Sequence, residues 1–296
     1  MGLAQYKEGE CTVFEIVQRY VRREISKDCD RLPALSGLAH RFEESAGAEL
    51  GQYYAGMWEC GLERDLLWST PVPGRRARGH EGDIFVSKPP SWSWASVESR
   101  TIAWPSTLNT YDPVTDLFDA ETYPSTSNAK GVVSGGHILL RGRILPFVVT
   151  WSDTTSATSG SSQINHRGRY ALTLVKDRNV LESESQTQDG ISCDENFGYI
   201  EPDVPLFEDG ISSGDTIFFL HMATANLVTS APGGTPQGLF VTEVLLEHPP
   251  AVPDWITDTG DQSNVRVFRR IGCGGLPSVD AIAILNSCPG QIVLLV

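Results

Sequence analysis

The chain has 296 residues, with 37 acidic and 23 basic side chains and a formal net charge of -14 at neutral pH. That length supports one large or two modest domains, and that charge excludes the basic footprint of a nucleic-acid binder and argues against docking on anionic membranes. No run of 18 apolar residues and no apolar stretch behind Met1 indicates a span or a secretory signal, and the six scattered cysteines form no Cys-x-x-Cys pair. A cytoplasmic protein with reduced thiols is expected.

In chain order, the first seventy residues read as helices. Thr12 and Glu15 make a capping box ahead of Val13, Ile16, Val17, Tyr20 and Val21 at helical spacing. Pro33 suits the first turn of a second helix with Leu35, Leu38, Ala39 and Phe42 on one face, ending near Gly47. A third helix is expected from about Leu50 to Leu67, lined by Tyr54, Met57, Trp58, Leu62 and Leu66. Residues 71–90 read as a linker loop, basic at Arg75, Arg76 and Arg78.

From residue 91 to 296 the pattern is strands and turns. Ser91-Trp92-Ser93-Trp94-Ala95-Ser96-Val97 alternates, which predicts a strand with both tryptophans on one face. Further strands are expected at His137–Leu145, Phe147–Trp151, Tyr170–Lys176, Thr216–Ala223, Leu239–Glu247, Val265–Ile271 and Gln291–Val296, separated by turn-rich stretches such as 152–162 and 230–238. Many short strands without helical crossovers imply an antiparallel sandwich or barrel. The fold class is therefore α+β: N-terminal helices packed on a mainly antiparallel β-sandwich or barrel, with parts 1–70 and 91–296 expected to form one compact unit.

The hydrolase elbow, zinc-protease helix, phosphate loop and dinucleotide fingerprint are missing from the sequence. His80-Glu81-Gly82-Asp83 gathers three potential ligands on a loop, short of a metal site by spacing. No cofactor and no metal are expected. His221 interrupts the apolar strand Ile217-Phe218-Phe219-Leu220-His221-Met222 on the face of Ile217 and Phe219, as a hydrogen-bonded core histidine or as a proton donor in a pocket. Arg141, Arg143 and His137 share one parity of their strand. Tyr54, Trp58, Trp68, Trp92, Trp94 and Trp104 supply rings either for a core or for an apolar cleft where the helical part meets the sheet.

Three segments carry a family resemblance. Asp30-Arg31-Leu32-Pro33-Ala34-Leu35-Ser36-Gly37-Leu38-Ala39, Tyr54-Ala55-Gly56-Met57-Trp58 followed by Leu62 to Trp68, and Pro90-Ser91-Trp92-Ser93-Trp94-Ala95-Ser96 occur in that order. Together they resemble the C-terminal region of fungal heterokaryon-incompatibility (HET-domain) proteins. Gly136 to Gly142, Val267 to Gly272 and Ile292 to Val296 resemble that family's later strands more loosely. Thr12 opens the helix that would follow a HET domain, so the death-signalling activity of that domain is not expected of this chain. The shared motifs read mainly as architecture, with Gly37 and Gly56 expected to permit close helix packing.

Two functional expectations follow. The first is a cofactor-free enzyme of fungal secondary metabolism, a cyclase of the Diels–Alder type acting on an apolar terpenoid or polyketide. His221 would be its catalytic group, and Tyr54, Trp58, Trp68, Trp92, Trp94, Trp104 and Arg141 would bind substrate. Holding a substrate in a reactive shape removes about 7–11 kcal/mol of barrier in favourable cases. The second is a non-enzymatic recognition or regulatory module of heterokaryon incompatibility. The expected partner is an apolar small molecule, with neither nucleic acid nor membrane, and self-association is left open.

Overall fold

The structure is a computed structural model that describes residues 13–23, 30–77, 88–105, 111–151, 170–175, 198–225, 234–246, 265–277 and 280–296. Thr12, the His80–Asp83 cluster and the 152–162 stretch lie outside the described residues. Two helices come first, α1 (Val13–Val21) and α2 (Arg31–Ala46). Pro33 sits in the first turn of α2, where its missing N–H costs no hydrogen bond. Leu32 and Ala39 are buried along its inner face, and Leu35 and Phe42 pack beside them.

The expected third helix is instead a hairpin and a single helical turn. Strands β1 (Tyr53–Tyr54) and β2 (Met57–Trp58) pair antiparallel, a 3-10 turn spans Glu59–Gly61, and α3 covers only Leu62–Asp65. The turn Ala55-Gly56 decides this outcome, since both residues have positive φ, 44° and 101°, which suits a two-residue hairpin and not a helix. Gly56 is also needed for space, because a Cβ there would collide with the Trp94 indole at Nε1. Gly37 has no such role: a Cβ on it would have nothing within 4 Å, so the expected close helix packing at Gly37 is corrected.

The Ser-Trp-Ser-Trp segment is likewise no strand. Ser93 caps a 3-10 turn, Trp94–Ser96, by accepting from the Ala95 N–H at 3.1 Å, and only β4 (Val97–Glu98) is extended. The serines' local bonds to backbone compete with a sheet ladder here. β4 pairs with β3 (Arg75–Arg76), so part of the basic loop is an edge of structure, with Arg75 bonded to Glu98.

Nine strands form one large, mainly antiparallel sheet: β5 (Tyr111–Pro113), β6 (Asp116–Pro124), β7 (Val133–Thr150), β8 (Ala171–Leu174), β9 (Tyr199–Pro202), β10 (Thr216–Ala225), β11 (Thr235–Glu243), β12 (Arg266–Gly275) and β13 (Gln291–Leu295). Only β12 and β13 run parallel; a short helix, α4 (Ala281–Ser287), lies between them in sequence. The 18-residue β7 joins two strand runs that the sequence reading separates, and it pairs with both β13 and β10. With β11 and β12 between those two, the neighbours β7, β13, β12, β11, β10 and β7 again form a closed ring. At Gly142–Arg143 the sheet forks. β10 leaves β7 after His221↔Arg143, shifts register before Ala223, and continues along β5, while β7 continues along β6.

The largest buried cluster joins Val17, Val21 and Leu32 of the helices to Leu66, Trp68, Trp92 and Trp94, and to Leu140, Leu220, Val241, Phe268 and Leu295 of the sheet. A second cluster, on the alternate parity of β7 and β10, holds Phe147, Ile217, Phe219, Phe240 and Ile271 with Ala281 and Leu285 of α4. Among the described residues no helix is long and apolar enough to cross a membrane.

The two glycines separate conformation from packing. Gly56→Ala is expected to lower stability by roughly 2 kcal/mol or more, since it adds positive-φ strain to a steric clash. Gly37→Ala, exposed in mid-helix, should raise it by about 0.5–1 kcal/mol. Urea unfolding midpoints of the two variants check both signs.

Candidate functional site

The sequence-derived ring candidates are brought together, but as core. Tyr54, Trp68, Trp92, Trp94 and Trp104 all belong to the largest buried cluster, and Trp58 packs with Ala39 and Leu50 in a satellite. Three indoles donate to backbone carbonyls: Trp68 to Trp92 at 2.8 Å, Trp94 to Gly56 at 3.2 Å, and Trp104 to Asp65 at 2.9 Å. Lys130 Nζ lies 5.9 Å from the Trp58 ring centre, and Tyr53 meets that ring edge-on. Arg141 does not join them. Its neighbours Phe118 and Ile292 form a different buried group, and its side chain is exposed, 4.0 Å from Asp116. The rings are buried where the helical part meets the sheet, and they hold that junction in place.

His221 occupies the fork between β7 and β10. It is buried, stacks at 6.4 Å on Phe219, and places Nε2 3.2 Å from Thr224 Oγ1. Burial is the main cause that pushes its pKa down to about 4; the Ala223 backbone opposes the shift and the Arg143 guanidinium adds to it. The imidazole is thus neutral at physiological pH and acts as a hydrogen-bonding group rather than a proton reservoir. It faces the second cluster, on the sheet side away from the tryptophans.

A group that the sequence reading passed over lies on the tryptophan side. Leu62, Asp65 and Leu66 fall at i, i+3 and i+4 of one turn, so they share a face. Leu62 and Leu66 are fully buried, and the carboxyl goes inward with them: Asp65 is only 7% exposed. Burial is the largest cause that raises its pKa to about 8, with Arg64 opposing and Glu63 adding. Its Oδ1 is ion-paired with Arg64 Nε at 3.8 Å, longer than an ordinary hydrogen bond, and this pairing opposes the rise. Apolar rings flank the pair. Trp104 bonds the Asp65 carbonyl, Phe14 stacks on Trp104 at 4.7 Å, and the Arg64 guanidinium lies 5.9 Å from the Phe14 ring centre. A carboxylic acid kept neutral near pH 7 donates a hydrogen bond that a carboxylate cannot.

No family model, curated protein or solved structure matches the chain. The chemistry therefore rests on geometry alone. Among the described residues no three His, Cys, Asp or Glu side chains are grouped to hold a metal ion.

The remaining polar cluster is structural. Arg270 is fully buried, bonds Asp203 through Nε at 2.9 Å and Nη2 at 3.0 Å, and donates to the carbonyls of Leu66 and Trp68. Its guanidinium lies 3.5 Å from the Trp68 ring centre. Arg76 bonds Asp209 at 2.9 and 2.7 Å and the Arg270 carbonyl at 2.8 Å. These Arg76 and Arg270 donors all find acceptors within the protein, while Arg269, which bonds Asp209 through Nη1 and Nη2, keeps a buried Nε without a hydrogen bond among the described residues.

His221 gives a stability signature with a definite sign. Its folded pKa lies below the unfolded value near 6.5. Unfolded chains then bind the extra proton between pH 6.5 and about 4, and stability is lost as pH falls through that window. His221→Gln should flatten this acid-side loss by up to about 1.4 kcal/mol per pH unit, as read from urea midpoints at pH 7, 6, 5 and 4.

Proposed function

We propose that this chain is a cofactor-free enzyme that holds an apolar small molecule in a reactive shape, with cyclisation as the reaction class and fungal secondary metabolism as its setting. The reading is supported by Asp65: a buried carboxyl whose pKa burial raises to about 8, ion-paired with Arg64 at 3.8 Å and flanked by Trp104 and Phe14. Such a group donates to a substrate oxygen in surroundings where hydrogen bonds are strong, and it lowers a barrier that builds negative charge on that oxygen. A pericyclic ring closure asks for no proton shuttle, only for a held conformation and one such bond. Helices closing over the sheet supply the dry wall this requires. His221 remains a second neutral hydrogen-bonding group, but on the other face it serves this site only indirectly.

A second reading has its own support. The residues that resemble the C-terminal region of HET-domain proteins bond mainly to one another: Arg31 to the Val97 carbonyl at 2.7 Å, Ser93 to the Ala55 carbonyl at 2.6 Å, and Trp68 to the Trp92 carbonyl. They maintain a scaffold, as a recognition or regulatory module of heterokaryon incompatibility requires. Exposed Phe207 and Val72 would then contact a partner.

The test is a metabolite-conversion assay of the purified protein with extract from a producing fungus, without added metal or cofactor. Conversion is expected at pH 7, declining above about pH 8 as Asp65 ionises, and lost in Asp65→Leu with its fold verified by circular dichroism. Unchanged extract, or full activity in Asp65→Leu, rules out the enzymatic reading.

A further inference from the structure

His137 interrupts the apolar strand β7, and neither functional reading above uses it. β6 pairs with β7 so that Glu121 stands opposite His137. Side chains alternate along a strand, so Asp119 and Tyr123, two residues to either side of Glu121, share its face and lie diagonal to His137. Both reach it. The Tyr123 hydroxyl is 2.7 Å from His137 Nδ1, and His137 Nε2 is 3.4 Å from Asp119 Oδ2. The register breaks at both ends of this stretch, between Leu117 and Asp119 and between Thr122 and Pro124, and the Ser134 hydroxyl donates to the Tyr123 carbonyl at 3.1 Å. Such irregularities at a sheet edge re-aim side chains.

A carboxylate at one end fixes the direction of this chain. It only accepts, so a neutral His137 carries its proton on Nε2 and leaves Nδ1 as the acceptor for the Tyr123 O–H. The order is carboxylate, imidazole, hydroxyl: a nucleophile within reach of a base that a third group orients. The imidazole is only 5% exposed, whereas Tyr123 is 38% exposed, on a strand at the end of the sheet order. Burial, then the Glu121 and Asp119 carboxylates, push the Tyr123 phenol above its ordinary pKa. The phenol therefore keeps its proton near neutrality until a base removes it, and His137 stands in place to do so.

We propose that Tyr123 is the nucleophile of an acyl-transfer site, with His137 as its general base and Asp119 as the residue that positions His137. In the step, a bond forms between Tyr123 Oη and the acyl carbon, and the bond from that carbon to the leaving oxygen or sulfur breaks. The phenol proton passes by way of His137 to the leaving atom, and the product is an acyl ester on Tyr123. The substrate class is an activated acyl donor, an aryl ester or a thioester, whose leaving group departs without help from a stronger acid. Asp119 and Glu121 share the face of the phenol and disfavour donors that carry negative charge. This site owes nothing to Asp65, and either can fail while the other stands.

The probe is p-nitrophenyl acetate, incubated with the full chain and followed by peptide mass spectrometry, with N-acetyltyrosinamide as the free phenol. Tyr123 is expected to gain an acetyl group roughly 100-fold faster than the free phenol, within the reach of general-base catalysis. The anionic p-nitrophenyl hemisuccinate should react with it about tenfold more slowly than the acetate. His137→Gln should return Tyr123 to the rate of the free phenol. Asp119 is half-exposed, so Asp119→Asn preserves the fold, yet it lets His137 take the other tautomer and should lower the rate by about tenfold or more. Tyr123→Phe keeps the ring and should remove the label from its peptide. Circular dichroism verifies the fold of each variant. Acetylation of Tyr123 no faster than that of the free phenol, a hemisuccinate rate equal to the acetate rate, or a rate unchanged in folded His137→Gln or Asp119→Asn overturns the proposal.

Discussion

A fully buried arginine needs more partners than any other side chain, and Arg270 has them all within reach. Its guanidinium is clamped by the Asp203 carboxylate, by the carbonyls of Leu66 and Trp68, and by the face of the Trp68 ring. The arginine comes from β12 and its partners from the segment after β9 and the segment after α3, all remote in sequence. Removing the charge from water is costly, and only a complete set of acceptors offsets that cost. The arrangement therefore tolerates one relative placement of helical part and sheet. Trp68, fixed by Arg270, donates to the Trp92 carbonyl, and the next residues, Ser93 and Trp94, bond the turn at Ala55 and Gly56. One buried cation thus sets the position of the turn, and with it the α3 segment that carries Asp65.

The sheet was legible where strands alternate or run apolar. The segments containing β10, β12 and β13 announce themselves by β-branched and aromatic residues, and the structure places strands there within a few residues. Three strands were not: β5, Tyr-Asp-Pro, is only three residues long and ends in Pro113. β6, Asp-Leu-Phe-Asp-Ala-Glu-Thr-Tyr-Pro, is an edge strand whose exposed half is acidic, and β9 is four residues ended by Pro202. The misread third helix has a local cause: Met57, Trp58, Leu62 and Leu66 do repeat at helical spacing, but two consecutive positive φ angles at Ala55 and Gly56 break the segment. The Ser-Trp-Ser-Trp alternation was equally deceptive, since its serines serve caps and turns.

The site was less legible than the fold, because composition cannot separate a ring that packs from a ring that lines a cleft. Tryptophans at 68, 92 and 94 are fully enclosed, and their polar edges are mostly spent on backbone carbonyls. What the sequence does hold is the spacing Leu62, Asp65, Leu66, which puts an acid on the buried face of a turn. An acid on an apolar stripe is a stronger functional signal than a tryptophan anywhere, since it must be neutralised, paired or used. His221 was correctly assigned to its face by strand parity, and its burial makes it neutral, not a proton carrier at physiological pH.

A double-mutant cycle across Arg270 and Asp203 tests this dependence most directly. Arg270→Met and Asp203→Leu are made singly and together, and stability is read by urea unfolding. Each single change strands a buried charge and is expected to cost roughly 3–5 kcal/mol, with the double variant recovering at least 2 kcal/mol of the summed loss. Single losses below about 1 kcal/mol, or losses that simply add, would show that the fold is positioned by something other than this pair.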